Sequence, residues 1–188
     1  MTAGGGTPPA VAQPRAADGQ RRFRAAMRRM PTSVVVVAGM QEDEPVGMVV
    51  GTFTAVSLDP LLVGFLGDRR SGTFGRLLQI DRWCFSVLTQ ADAAIVDRFR
   101  RQNAERFKGV DWSLTRHGTP LINGSTLAVH TRQYESLPAG DHDLALAQVL
   151  DVDFELTPPR PLVYLGGRFS RLDPYDLAPA DAWQLGWE

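Results

Sequence analysis

The stretch from Gly47 to Phe74 constrains this chain more than any other. It reads as two strands joined by the short turn Leu58-Asp59-Pro60. The first strand sets Thr52, Thr54 and Ser57 among small or apolar neighbours. The second, Leu61 to Leu66, is almost wholly apolar, which predicts burial. The loop that follows, Arg69-Arg70-Ser71-Gly72-Thr73, has the parts a phosphate needs. Its arginines supply fixed charge, its hydroxyls supply hydrogen bonds, and its glycine lets backbone N–H groups come close.

Around that stretch the pattern is mostly strand. Residues 1–19, rich in Gly, Pro and Ala, carry almost no large apolar side chain and read as a disordered arm. From Arg21 to Met30, Phe23, Met27 and Met30 share one face of an amphipathic helix with arginines around it. Ser33 to Gly39 is a β-branched run, and the acidic turn Gln41 to Pro45 leads back into a strand over Val46 to Ser57, a hairpin. Ser71 falls at the N-cap of a short helix bearing Phe74, Leu77 and Leu78, which would add N–H donors to the anion site. Thr89-Gln90-Ala91-Asp92 is a capping box opening a helix that runs to about Arg101. Glu105 to Gly109 reads as a loop or a single helical turn, and further strands are expected over Trp83–Leu88, Leu127–Tyr134, Leu144–Phe154 and Leu162–Phe169. About seven strands and three helices, without strand–helix–strand alternation, favour a closed antiparallel barrel with peripheral helices over a doubly wound sheet. Residues 173–188 form a tail carrying Tyr175, Trp183 and Trp187, which packs on its own barrel or on a partner chain.

Composition narrows the chemistry. The 188 residues carry 20 basic and 21 acidic side chains, a formal net charge of −1, so nothing in the balance calls for nucleic acid. Lys108 is the sole lysine. Cys84, the sole cysteine, lies in the apolar run Trp83 to Leu88 and reads as a small buried hydrophobe. With one cysteine there is no internal disulfide, and no His, Cys or carboxylate spacing suggests a metal. No window reaches the apolar length of a membrane helix, and Arg21-Arg22 is not followed by the apolar run of an export signal, so the expected location is cytoplasmic. Neither a Gly-x-Gly-x-x-Gly nor a Walker lysine motif is present.

Three pieces in order give the chain a family resemblance. They are Gly47-Met48 with Thr52-Phe53-Thr54 and Val56-Ser57-Leu58-Asp59-Pro60, then Ser71-Gly72-Thr73, then Gly140-Asp141-His142. Together they resemble the flavin reductase-like family, the FMN- or FAD-binding split barrels that serve two-component monooxygenases, over a domain at residues 20–172. The resemblance implies a mainly β, split antiparallel barrel of Greek-key type. It implies hydride transfer from NADH or NADPH to FMN or FAD, with reduced flavin passed to a separate flavin-dependent monooxygenase. A homodimer with the flavin at its interface is implied as well.

The same resemblance assigns candidate residues. The ring would lie along Gly51, Thr52, Phe53, Thr54, Ala55 and Ser57, whose small side chains and backbone groups suit a flat heterocycle. The phosphate-bearing chain would meet Ser71 and Thr73, with Arg70 the neighbouring cation and Phe74 beside them. Phe107 and Lys108 match a Phe-Lys-like pair before a glycine. His142 would orient nicotinamide or flavin by hydrogen bonding, and Gly167, Arg168 and Phe169 match a terminal strand on the nicotinamide side. Taken only as residues, the threonines suit any half-exposed strand, Ser71 and Thr73 suit any helix cap, and His142 suits any turn. The chain departs from the family pattern at Val49-Val50-Gly51, Ala55, Leu61 and Ala147. These changes remove side-chain donors, bear on the choice between FMN and FAD, and leave the backbone plan intact. A flavin carrier or an oxidase subunit would use the same strand and loop. A third possibility is an interaction module built on the Arg-rich helix and the Trp-bearing tail.

Overall fold

The computed structural model describes residues 16–154 and 160–171. Its strands are β1 Thr32–Ser33, β2 Val35–Gln41, β3 Glu44–Val50, β4 Thr54–Leu58, β5 Leu61–Asp68, β6 Arg82–Val87, β7 Trp112–Leu114, β8 Pro120–Ile122, β9 Leu127–Ala139, β10 His142–Phe154, β11 Leu162–Leu165 and β12 Arg168–Arg171. Its helices are α1 Ala16–Met27, α2 Gly72–Leu77, α3 Ala93–Phe99 and α4 Asn103–Arg106. Seven strands form one sheet in the order β3-β2-β6-β9-β10-β5-β4, flanked by a small β1-β11-β12 sheet and the β7-β8 pair. All of the pairings are antiparallel.

Chain connectivity forces this sheet to roll. Strands β3 and β4 are its two edges, yet only Gly51-Thr52-Phe53 separate them in sequence. Such a link reaches at most about 15 Å when fully extended. Seven strands laid flat would hold their edges roughly 29 Å apart. Among the described residues no ladder joins β3 to β4, so the roll is a split barrel and not the closed one that the strand pattern suggested. At the seam the linker is tied to β5: Thr52 Oγ1 accepts from Leu66 N at 2.9 Å and donates to Leu66 O at 3.3 Å.

Alternation along the strands builds two cores. Val35 and Val37 point inward with Val46, Val63, Phe65, Trp83, Phe85, Val129 and Ala147, closed at one end by Phe74 and Leu77 of α2. Val34, Val36 and Ala38 point outward and are covered by Val96, Phe99, Phe107, Ile122 and Leu162. Burying both faces of β2 explains its unbroken β-branched run. Cys84 is fully buried, and burial pushes its thiol up to about 12.

Several boundaries differ from the sequence reading. The first helix begins at Ala16, so residues 16–19 belong to it and not to an arm, and it ends at Met27. The strand expected over Val46–Ser57 breaks at the seam into β3 and β4. Leu162–Phe169 is two strands turned by Gly166 and Gly167 at φ 64° and 87°, which the glycine pair permits. The helix after Thr89 opens with a 3₁₀ turn and stops at Phe99. Residues 1–15 of the expected arm and the tail at 173–188 lie outside the described residues. No described helix is long and apolar enough to cross a membrane.

Candidate functional site

The Ser71–Thr73 loop leaves β5 and is held from below. A Cβ built on Gly67 would meet the Phe74 ring at 2.2 Å, so only glycine lets that ring lie against the strand. Phe74 packs edge-on against Phe65, with ring centroids 5.7 Å apart. Ser71 is the N-cap of α2, its Oγ accepting from Phe74 N at 3.2 Å. Thr73 Oγ1 accepts from Arg106 Nη1 at 2.9 Å.

Arg106 is the residue the sequence reading missed. It ends α4, and its Nη1 also donates to Gly47 O at 2.7 Å while its Nε donates to Arg101 O at 2.9 Å. Gly47 makes room for the next residue: a Cβ there would stand 2.9 Å from Phe107 Cζ and 3.0 Å from Val37 O. The available sequence signals were a glycine inside a strand and an arginine beside a core phenylalanine. Ser71, Thr73, Arg100 and Arg106 line one pocket of about 310 Å³ with Met48, Val49, Val96 and Phe99. Every polar side chain there is a hydroxyl or a guanidinium, and none is acidic.

Val49, Val96 and Arg100 also line a larger, mainly apolar cavity of about 570 Å³ that runs along the seam. Gly51 and Thr52 lie on its wall, with Phe23, Met27 and Met30 of α1 on one side and Tyr164 and Phe169 on another. The α1 apolar face therefore borders this cavity and is not packed into a core, since Phe23 stays 66% exposed. The volume falls in the range of small-molecule sites.

The candidates expected from sequence divide accordingly. Gly51, Thr52, Ser71, Thr73 and Phe169 line the two cavities. Phe53, Phe74 and Phe107 turn into the cores: Phe53 stacks on Phe85 at 4.6 Å, and Phe107 packs on Phe99 at 5.2 Å. Thr54 and Ala55 lie exposed on the edge strand β4, with Ser57 half-buried farther along it. Arg70 does not join Ser71 and Thr73; its Nε and Nη2 reach the Asp68 carboxylate at 3.1 and 2.8 Å. That bond is the main cause holding the Asp68 carboxyl well below the usual carboxylate range. Lys108 pairs with Glu105 at 2.6 Å and is exposed.

His142 opens β10 opposite Asp68, three residues before Ser71 in sequence, and Arg69 N donates to Asp141 O at 3.3 Å. Its Nδ1 lies 2.8 Å from Asp141 Oδ1, and this bond is the main cause keeping the Asp141 carboxyl below its ordinary value. His142 lines neither cavity. Gly167 and Arg168 sit at the β11–β12 turn, on the element that brings Phe169 to the larger cavity.

A rolled antiparallel sheet, open along one seam and flanked there by an apolar cavity and an acid-free arginine pocket, is a split barrel. The chain belongs to the flavin reductase like domain family, whose model matches residues 27–173. It is 33% identical over 146 residues to a flavin reductase of Pseudomonas putida, covering 77% of this chain and 86% of that one. It is 29% identical over 161 residues to the flavin-dependent monooxygenase reductase subunit HsaB of Mycobacterium tuberculosis, covering 85% and 86%. Among solved structures it resembles the Streptomyces globisporus NADH:FAD oxidoreductase SgcE6 in complex with NAD and FAD fragments. That likeness has a TM-score of 0.77 and 28% identity, and covers 91% of this chain and 99% of the other.

Proposed function

We propose that the protein is an NAD(P)H-dependent flavin reductase that takes FMN or FAD, reduces it with a nicotinamide nucleotide, and passes it to a separate flavin-dependent monooxygenase. The observation that carries this reading is the pair of neighbouring cavities that share Val49, Val96 and Arg100 as wall residues. One is a small pocket of hydroxyls and arginines suited to a phosphate; the other is an apolar space suited to a flat ring. The flavin itself supplies the hydride chemistry, its ring accepting two electrons from the nicotinamide.

The chain's residues need only bind and orient. Ser71 and Thr73 offer hydroxyls to the phosphate-bearing chain. Gly51 and Thr52 lie where the ring can pack against backbone, and Phe169 with Tyr164 offers an aromatic wall. His142 orients through Nε2, which bonds to none of the described residues, since Nδ1 is held by Asp141. No proton has to be shuttled by the protein for hydride transfer to proceed.

The reading includes a homodimer and a cytoplasmic location, where nicotinamide nucleotides are turned over. Supporting the dimer, Leu137, Leu144 and Leu66 lie side by side across β9, β10 and β5, and Val56, Leu58 and Leu61 stand exposed at the β4 edge. The test is oxidation of NADH and NADPH by purified protein with FMN, FAD or no flavin. A flavin-dependent rate well above the non-enzymatic background is expected, and its absence overturns the reading. Sedimentation of the same sample checks the dimer.

A further inference from the structure

We propose that the acidic, tryptophan-bearing tail at residues 173–188 docks on the apolar face of α1 in its own chain. This contact lies beyond the flavin reductase reading, because it concerns the helix side of the larger cavity and needs no flavin. The apolar face of α1 is left open among the described residues. Phe23, Met27 and Met30 recur at helical spacing, yet they stay 66%, 41% and 53% exposed.

The same helix is strongly cationic. Between residues 16 and 30, Arg21, Arg22, Arg24, Arg28 and Arg29 stand against Asp18 alone. Asp18 pairs with Arg21 at 2.7 Å, and among the described residues no carboxylate pairs with the other four. Arg24 and Arg28 line the larger cavity together with Phe23, Met27 and Met30. A segment that fits this face brings large apolar side chains and negative charge together.

Residues 173–188 have that composition. They carry Asp173, Asp176, Asp181 and Glu188 with no basic side chain, and Trp183, Leu185 and Trp187 fall among them. Indole rings suit thioethers and guanidiniums, the two kinds of group that α1 presents beside Phe23. Connectivity favours the same chain. Strand β12 ends at Arg171, two residues past Phe169, which itself lines the cavity. The β11–β12 turn is bonded just past the helix, Gly166 N donating to Arg28 O at 2.8 Å. The chain from Arg171 to Trp183 can span up to about 40 Å, enough to come back over α1. Such a tether gives the segment a high effective concentration at the face, which a free partner has to outcompete. Leu66, Leu137 and Leu144, which support a dimer, do not line this cavity, so a second copy has its own surface.

The experiment uses the full chain and introduced thiols. Cys84, the sole cysteine, is fully buried and does not interfere. Ala26→Cys, between Phe23 and Met30 on the helix face, is combined with Gln184→Cys, beside Trp183. Mild oxidation should give an intrachain disulfide, read as a mobility shift on a non-reducing gel. Adding Arg24→Glu and Arg28→Glu should slow its formation about fivefold or more, and so should high salt. Reversing the tail as well, with Asp176→Lys and Asp181→Lys, should restore the rate to within about twofold. Absence of the disulfide, or a rate indifferent to charge reversal, would overturn the proposal, because chance encounter does not sense charge. Covalent dimers in place of the intrachain product would also overturn it. From Ala26→Cys alone they would mark a second copy on α1, and from the pair a tail on another chain. Should the reversed helix not fold, the salt series on the parent pair decides, and a salt-independent rate counts against the proposal.

Discussion

Thr52 is bonded through its hydroxyl to both backbone groups of Leu66, at 2.9 Å to the nitrogen and 3.3 Å to the oxygen. The β4–β5 ladder ends at Thr54 and Gly64, so this side chain extends the pairing one step into the seam. Thr52→Val keeps the shape and removes both bonds, leaving Leu66 N–H without that partner. The expected cost is about 1–2 kcal/mol of stability together with weaker flavin binding. Thermal unfolding and FMN titration of the variant check it, with Thr54→Val, whose hydroxyl reaches only Ala55 O at 3.2 Å, as the control.

Gly67→Ala should be more damaging than its size suggests. The added methyl would lie 2.2 to 2.5 Å from three carbons of the Phe74 ring. Phe74 cannot swing away without dragging α2, so the Ser71–Thr73 loop moves with it. A loss of about 1–3 kcal/mol in stability is expected, with an increased KM for flavin. Calorimetry together with steady-state kinetics measures both.

His142→Asn should raise KM for the nicotinamide while leaving the FMN dissociation constant within about twofold of wild type. That split follows from its place outside the pocket of Ser71, Thr73 and Arg106. Equal weakening of flavin binding would contradict the assignment.

Acid should weaken the fold through His117. Burial, followed by the neighbouring His130 and Arg116, lowers its pKa from the ordinary 6.5. Its ring stacks on that of His130, with centroids 4.8 Å apart, and His130 is itself 1% exposed and bonded to Asp153 at 2.8 Å. The unfolded chain therefore binds the proton more readily than the folded one. The stability this group contributes is complete above about pH 6.5 and is lost as pH falls toward the lowered value. Tm should fall as pH drops below about 6.5, and His117→Gln should flatten that slope. Asp153, held low mainly by its bond to His130, acts in a separate and more acidic window.

Much of this was legible in the residues themselves. The β-branched run of β2, the Thr89 capping box and the Ser71 cap all follow from local rules that the tertiary structure leaves in force, whereas the apolar β5 is buried at its centre but exposed at Leu61 and Leu66. The candidate site was legible only in part. Ser71 and Thr73, which line the smaller cavity, stand out in the sequence because hydroxyls flanking a glycine after a strand are a local signal. Arg106 was not, because it reaches Thr73 across 33 residues and Gly47 across 59, and no spacing rule reports that distance. Phe53, Phe74 and Phe107 sit in the right segments, yet strand alternation and core packing turn their rings away from the cavities. Arg70 stands apart from Ser71 and Thr73 for another reason: its guanidinium pairs with Asp68, two residues earlier.

The open seam has a thermodynamic consequence. Where a closed cylinder would carry a backbone ladder, this one has at its gap a threonine hydroxyl bonded to β5 that also borders the larger cavity. Occupancy and cohesion therefore become one quantity, and a molecule seated across the gap acts as the missing fastener. The protein should be at its tightest when loaded and relax each time it gives its cargo away.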